Sequence, residues 1–282
     1  MTLSTSTQVV GYRVESEQAD AMYAWAPLAG TSLPVVVFIH GSHTNPRMYT
    51  KYASLLAESG FIVVAPEQER EVFGDFAHYP QQAFVNWALE FVEAENLRPQ
   101  SPIAGRVDRS QVFLVGHSMG GGTTLGVVGD FSQPGLSDQP WSVPSELKAA
   151  VVNATHNIPP PRTGDPVPVT NSVPLAFMQG SVDDVVTLDQ AARTFAAVNG
   201  VLPRAFVTIE GGNHFFLTDV DNPEGANPDR AAMQWDQDAS VEAAAKWTAN
   251  WFRANSGSSQ AVALLQGESL SSNVRVELIG DL

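Results

Sequence analysis

The sequence predicts an α/β fold, a doubly wound and mostly parallel central sheet of about eight strands with helices on both faces. Three observations predict it. Short runs rich in Val and Ile alternate along the chain with helix-compatible stretches of about 10–18 residues, the pattern of successive βαβ units. One of these runs, PVVVFIHG (34–41), is apolar almost without a break, as a strand covered on both faces must be. Another, QVFLVG (111–116), feeds directly into a glycine-rich turn that opens a further helix, SMGGGTTLGVVG (118–129).

In chain order, VVGYRVES (9–16) and DAMYAWAP (20–27) are expected to form two short strands joined by a polar turn, a hairpin at the sheet edge. PVVVFIHG is a central strand. PRMYTKYASLLAESG (46–60) is helical and ends at Gly60, FIVVAPE (61–67) is a strand, and YPQQAFVNWALEFVEAENL (79–97) is a long amphipathic helix. After the strand–turn–helix at 111–129, LKAAVVNAT (147–155) and VPLAFMQGS (173–181) are strands. TLDQAARTFAAVNG (187–200) is a helix capped by Gly200, RAFVTIEGG (204–212) a strand and DASVEAAAKWTANWFRAN (238–255) the closing helix.

The 282 residues are 44% hydrophobic, enough for one sizeable core. Residues 1–255 are therefore expected to form one domain, interrupted by Pro-, Ser-, Gly- and Asp-rich, cap-like loops at 130–147 and 156–174. Long loops at the carboxyl ends of strands usually build the binding crevice of an open α/β sheet. Residues 256–282 follow a flexible SGSSQ joint and are either an edge helix and strand or a loosely docked tail.

Composition excludes several functions. With 15 basic against 30 acidic residues the formal charge is -15, which repels phosphate backbones and anionic lipid, so no nucleic-acid partner is expected. The absence of cysteine removes disulfides, thiol nucleophiles and thiolate metal sites. No apolar run approaches the roughly 20 residues of a membrane span. The first residues lack the basic and apolar regions of a signal peptide, so a cytoplasmic location is expected.

Gly116-His117-Ser118-Met119-Gly120 is G-x-S-x-G placed between a strand and a helix, the context that gives this short pattern its meaning. A serine there sits in a strained turn with its hydroxyl exposed, and the flanking glycines let strand and helix approach. The hydroxyl needs a base and the base an orienting acid, in the chain order Ser, acid, His. GSVDDVVT (180–187) supplies Asp183, or its neighbour Asp184, at the end of one strand, and GGNHFFLTD (211–219) supplies His214 at the end of the next. Asp183 is the better placed acid, since Asp184 also reads as an exposed turn carboxylate.

An oxyanion needs two backbone N–H groups, expected from Met119 and from Ser42, with His43 as the alternative. His43, His117 and His156 are further candidates for contact with a substrate, whereas His40 is expected to bond only the backbone. No metal is expected. His40 and His43 have no third ligand near them in sequence, and DVDNPEGANPD (219–229) has Glu224 where the loop of an EF-hand needs glycine, so it reads as a solvated acidic loop. No phosphate-binding glycine motif is present, and no cofactor is expected.

Across residues 8–254 these features resemble the α/β-hydrolase fold. Within that superfamily, VVVFIHGSHTNPRMYTKYASLLAESGFIVVAPE, FVNWALEF, GRVDRSQVFLVGHSMGGG, GSVDDVVT and GGNHFFLTD resemble an esterase branch. That branch includes chlorophyllases, dienelactone-hydrolase-like proteins and cutinase-like polyester hydrolases. The resemblance implies a Ser118–His214–Asp183 triad, oxyanion amides at Ser42 and Met119, and a serine carboxylic-ester hydrolase acting on a hydrophobic, small-molecule or lipidic ester. Chlorophyllase, releasing phytol from chlorophyll, is the leading specific expectation. The alternatives are a short-chain or polyester esterase, a thioesterase or amidase, and a catalytically silent binding protein on the same fold. Departures from the relatives' patterns are Ser42 where polyester hydrolases usually carry an aromatic residue, and Met119 where plant chlorophyllases commonly carry arginine.

Overall fold

The computed structural model describes residues 7–266 and 271–282. Strands β1 (Val9–Glu15) and β2 (Ala21–Pro27) form the expected antiparallel hairpin, with Val9 opposite Pro27 and Glu15 opposite Ala21. Then follow β3 (Leu33–Ile39), α1 (Thr50–Glu58), β4 (Ile62–Glu67), a small hairpin of β5 (Glu69–Val72) and β6 (Asp75–His78), α2 (Phe84–Leu97), β7 (Val107–His117) and α3 (Met119–Val128). The second half runs β8 (Leu147–Asn153), β9 (Val169–Asn171), β10 (Leu175–Gly180), α4 (Leu188–Ala196), β11 (Val198–Gly200), β12 (Arg204–Ile209), α5 (Gln237–Ala254), α6 (Ser259–Gln266) and β13 (Val274–Ile279).

The main sheet has nine strands in the order β1-β2-β4-β3-β7-β8-β10-β12-β13. The block from β4 to β12 is parallel, while β1–β2, β2–β4 and β12–β13 are antiparallel. The ninth strand comes from the chain after residue 255: VRVELI alternates in burial along β13, as a strand with one covered face does, and pairs along the whole of β12.

Alternate residues of the central strands feed two cores. Val36 and Phe38 face α1 and α5 with Tyr49, Tyr52, Trp247, Trp251 and Phe252. Val35, Val37 and Ile39 face the opposite layer with Phe84, Leu89, Leu125, Val128 and Phe195 from α2, α3 and α4.

Several boundaries differ from expectation. The segment 46–60 opens with a single 3-10 turn, Pro46–Tyr49, because Asn45 caps it by accepting from the Arg47 amide. The long helix begins at Phe84 rather than Tyr79, since the Gln82 amide donates to the Leu136 carbonyl instead of entering a helical turn. Helix α4 stops at Ala196, and Gly200 belongs to a three-residue strand paired with β9. A Cβ at Gly200 would come within 2.5 Å of the Asn171 carbonyl oxygen, and its φ of +116° is open chiefly to glycine.

Candidate active site

Ser118 occupies the turn between β7 and α3 with φ 53° and ψ -118°, a strained conformation for a residue with a side chain. Close approach of three elements holds it there. A Cβ on Gly116 would lie 2.2 Å from the Gly120 carbonyl oxygen, and one on Gly120 would lie 2.1 Å from that of Ile39 at the end of β3. The Ser118 amide donates to the Asn153 carbonyl at 2.8 Å, and the Asn153 side-chain amide donates to the Gly116 carbonyl at 3.1 Å. The turn is thus pinned to β8 on its other side.

The ends of β10 and β12 deliver the partners. His214 Nε2 lies 2.9 Å from Ser118 Oγ, and His214 Nδ1 lies 2.9 Å from Asp183 Oδ2. With Nδ1 donating to the carboxylate, Nε2 is free to accept the serine proton. Asp183 is buried, and its charge is met by donors on both oxygens: the Val185 and Val186 amides at 2.9 and 2.8 Å on Oδ1, and Gln179 Nε2 at 2.9 Å on Oδ2. Asp184 is exposed and points no carboxylate at the histidine; only its amide enters the site, donating to Asp229 at 3.3 Å.

Over these residues lies a cavity of about 420 Å³, lined by Ser42, Ser118, Met119, His156, Ile158, Phe215 and others. The apolar side chains of the 130–147 and 156–174 loops divide. Leu136 and Ile158 reach the cavity, whereas Phe131, Trp141 and Val143 pack against the core beneath α2 and α3. Ser42 and Met119 flank Ser118 in the lining. The alternative donor is spoken for: the His43 amide donates to the His78 carbonyl at 2.9 Å. The His43 ring lies outside the cavity lining, between Asp75 Oδ2 at 2.8 Å and the Asn227 amide at 3.3 Å.

His156 lines the cavity, and its Nδ1 accepts from the Ile158 amide at 3.0 Å. Burial, then the Arg162 cation, lower its pKa to about 4, so it offers the site a neutral ring. His117 borders the cavity yet is wholly buried, with both ring nitrogens engaged by protein. His40 Nδ1 donates to the Gly41 carbonyl, 2.7 Å away, since a carbonyl only accepts, and so carries the ring's proton.

The acidic segment 219–229 is solvated only in part: Glu224 is exposed, but three of its aspartates bond into the fold. Asp219 accepts from the Thr50 and Lys51 amides, and Asp221 accepts from Asn213 Nδ2 at 2.7 Å. Asp229, only 5% exposed, accepts from the His214 amide at 2.8 Å through Oδ2 and from the Ala231 amide at 2.8 Å through Oδ1. No cluster of three or more metal-ligating side chains occurs among the described residues, and no helix there is long and apolar enough to cross a membrane.

Gln179, Asn153 and Asp229 thus support the site without having been singled out by motif. The first two carry a sequence signal, a single polar side chain closing an otherwise apolar strand (LAFMQG and AAVVN). Asp229 carries none.

The sheet order, the strained serine turn and the Ser–Asp–His order at the ends of β7, β10 and β12 define an α/β-hydrolase fold. The family model for chlorophyllases matches residues 3–137. Chlorophyllase-1 of Arabidopsis thaliana is 30% identical over 103 residues, which span 36% of this chain and 30% of that protein. A Bacillus subtilis protein (strain 168) named "Putative esterase YitV" is 35% identical over 104 residues, 34% of this chain and 40% of its own length. These matches bear out the resemblance to the esterase branch of the superfamily, the branch that includes chlorophyllases. The chain spans less than half the length of both relatives.

Proposed function

We propose that the protein is a serine carboxylic-ester hydrolase in which Ser118 is the nucleophile, His214 the general base and acid, and Asp183 the residue that orients the imidazole. The observation that carries this reading is the continuous relay from Ser118 Oγ through His214 to Asp183, 2.9 Å at each step, opening on a cavity lined by Ser42 and Met119. In the reaction, Oγ attacks the ester carbonyl as Nε2 takes its proton. The carbonyl oxygen, now an anion, is held by the Ser42 and Met119 amides. His214 then protonates the leaving alcohol, and a water molecule activated by the same nitrogen releases the acid from Ser118.

Two substrate classes follow from different observations. A large hydrophobic ester such as chlorophyll is supported by the family match and by the apolar side of the lining, Leu136, Ile158, Val185, Val186 and Phe215. A smaller ester is the second reading, because the family match does not reach the whole of the cavity. The match contains Ser42, Ser118 and Met119 but stops at 137, before His156, Ile158, Asp183 and His214, so the half of the cavity that would select the substrate lies outside it.

The test is release of chlorophyllide from chlorophyll a by the purified protein, with Ser118→Ala as the blank and p-nitrophenyl butyrate as a second substrate. Ser118-dependent release of chlorophyllide is expected if the pigment is the substrate. Turnover of the butyrate alone would assign a smaller ester, and equal rates for wild type and Ser118→Ala on both would overturn the serine mechanism.

A further inference from the structure

His117 stands one residue before the nucleophile and takes no part in the relay. It is fully buried, as is Tyr49, and Thr44 nearly so. His117 Nε2 lies 2.9 Å from the His214 carbonyl oxygen and Nδ1 lies 2.8 Å from Tyr49 Oη. A carbonyl can only accept, so Nε2 carries the proton, Nδ1 is the acceptor, and Tyr49 donates to it. Burial, with the charge of His214 when it forms, holds the ring neutral by pushing its pKa far below the usual value, which keeps this tautomer in place. Tyr49 Oη, its own proton spent, is an acceptor for the one proton of Thr44 Oγ1 at 2.8 Å, which it shares with the Gly41 carbonyl 2.9 Å from the same oxygen. Gly41 N lies 3.5 Å from Tyr49 Oη.

The chain joins three segments that sequence keeps apart. Thr44 and Gly41 belong to the loop that carries Ser42. His117 belongs to the serine turn, and the accepting carbonyl is that of His214 itself. The contact is close on both sides: a Cβ at Gly41 would lie 3.2 Å from His117 Nδ1 and 3.2 Å from Ser118 Cβ. The rings of His117 and His214 sit 4.9 Å apart, and those of His117 and Tyr49 5.5 Å.

We propose that His117 and Tyr49 are positioning residues, whose buried hydrogen-bond chain from Thr44 to the His214 carbonyl sets the Ser42 amide against the serine turn and the base. This rests on the serine-hydrolase reading above. His117, Tyr49 and Thr44 are buried with their polar atoms engaged by protein, so the chain acts on the geometry of the oxyanion donor and of His214. Displacement by about 1 Å costs up to about 10²-fold in rate, against 10²–10³ for outright loss of a donor.

The experiment compares wild type, Tyr49→Phe, His117→Leu, His117→Gln and the Tyr49→Phe/His117→Leu double variant on p-nitrophenyl butyrate, with thermal unfolding measured for each. Tyr49→Phe keeps ring and volume, which guards against simple misfolding. The expected result is a kcat lower by about 10–100-fold with KM within about twofold in both single variants. The double variant should be no worse than His117→Leu, because both break one chain. His117→Gln, which can still present an N–H to the His214 carbonyl, should recover part of the loss. A rise in KM at constant kcat would make His117 a substrate contact and overturn the proposal. Losses that multiply in the double variant, or that track the folded fraction alone, would overturn it too. Wild type lacking Ser118-dependent turnover would instead sink the serine mechanism, and this inference with it.

Discussion

At positions 183 and 184 two aspartates adjoin and burial separates their chemistry. Asp183 is enclosed by two backbone amides, Gln179 and His214, whereas Asp184 is exposed. Asp183→Asn is therefore expected to lower kcat by about 10⁴, because an amide at Oδ2 no longer fixes the proton on His214 Nδ1. Asp184→Asn should leave kcat within about twofold. Asp229 belongs between them. Its Oδ2 accepts from the amides of both Asp184 and His214, so one carboxylate ties the loop of Asp183 to the loop of His214. Asp229→Asn would turn a donor toward one set of those amides and leave buried N–H groups unpaired, at about 1–3 kcal/mol. The measurement is steady-state kinetics with chemical unfolding of the three variants. A strong loss in Asp184→Asn with none in Asp183→Asn would reverse the assignment of the acid.

Among the elements, α3 shows how unequal a row of glycines is. Gly120 abuts the end of β3, where an added Cβ would strike the Ile39 carbonyl at 2.1 Å, while Gly122 has nothing nearer than 3.7 Å. Gly120→Ala should push α3 off the sheet, abolishing activity and costing several kcal/mol. Gly122→Ala should fold and gain about 0.5–1 kcal/mol from helix propensity, a rise of a degree or two in Tm. A destabilised Gly122→Ala would mean that Gly122, too, is packed against something. The glycines, the VVVFI run and the Ser–Asp–His order made the central strands and the relay legible, because each is a local pattern with a local physical cause. The β5–β6 hairpin was not legible: EREV and DFAH are short, charged and largely exposed, so they carry no strand periodicity. Strands β9 and β11, three residues each, exist only through each other. Asp229 escaped for the same reason, since its role depends on amides of positions 184 and 214 that only the folded chain brings to it.

For the whole molecule, the buried histidines predict a weakness on the acid side. Burial lowers the pKa of His40 from 6.5 to about 4, and moves that of His117 in the same direction, well below 6.5. A histidine with a depressed folded-state pKa binds its proton more readily in the unfolded chain. Its contribution is therefore complete above pH 6.5 and is lost as pH falls toward the folded value. For His40 the loss between pH 7 and pH 5 is about 2 kcal/mol. The opposing effect is the net charge of -15, whose self-repulsion eases as carboxylates protonate. Ordinary carboxylates titrate near pH 4, so most of that relief arrives below pH 5, and about 0.15 M salt screens much of it throughout. Between pH 7 and pH 5 the histidines should prevail, and urea midpoints should fall steadily. His40→Gln should show a shallower decline, by about 2 kcal/mol over the same interval, whatever its stability at pH 7. A wild-type midpoint that stays level or rises toward pH 5 would mean that charge repulsion outweighs the buried rings. A slope unchanged in His40→Gln would assign the loss to His117 or another group.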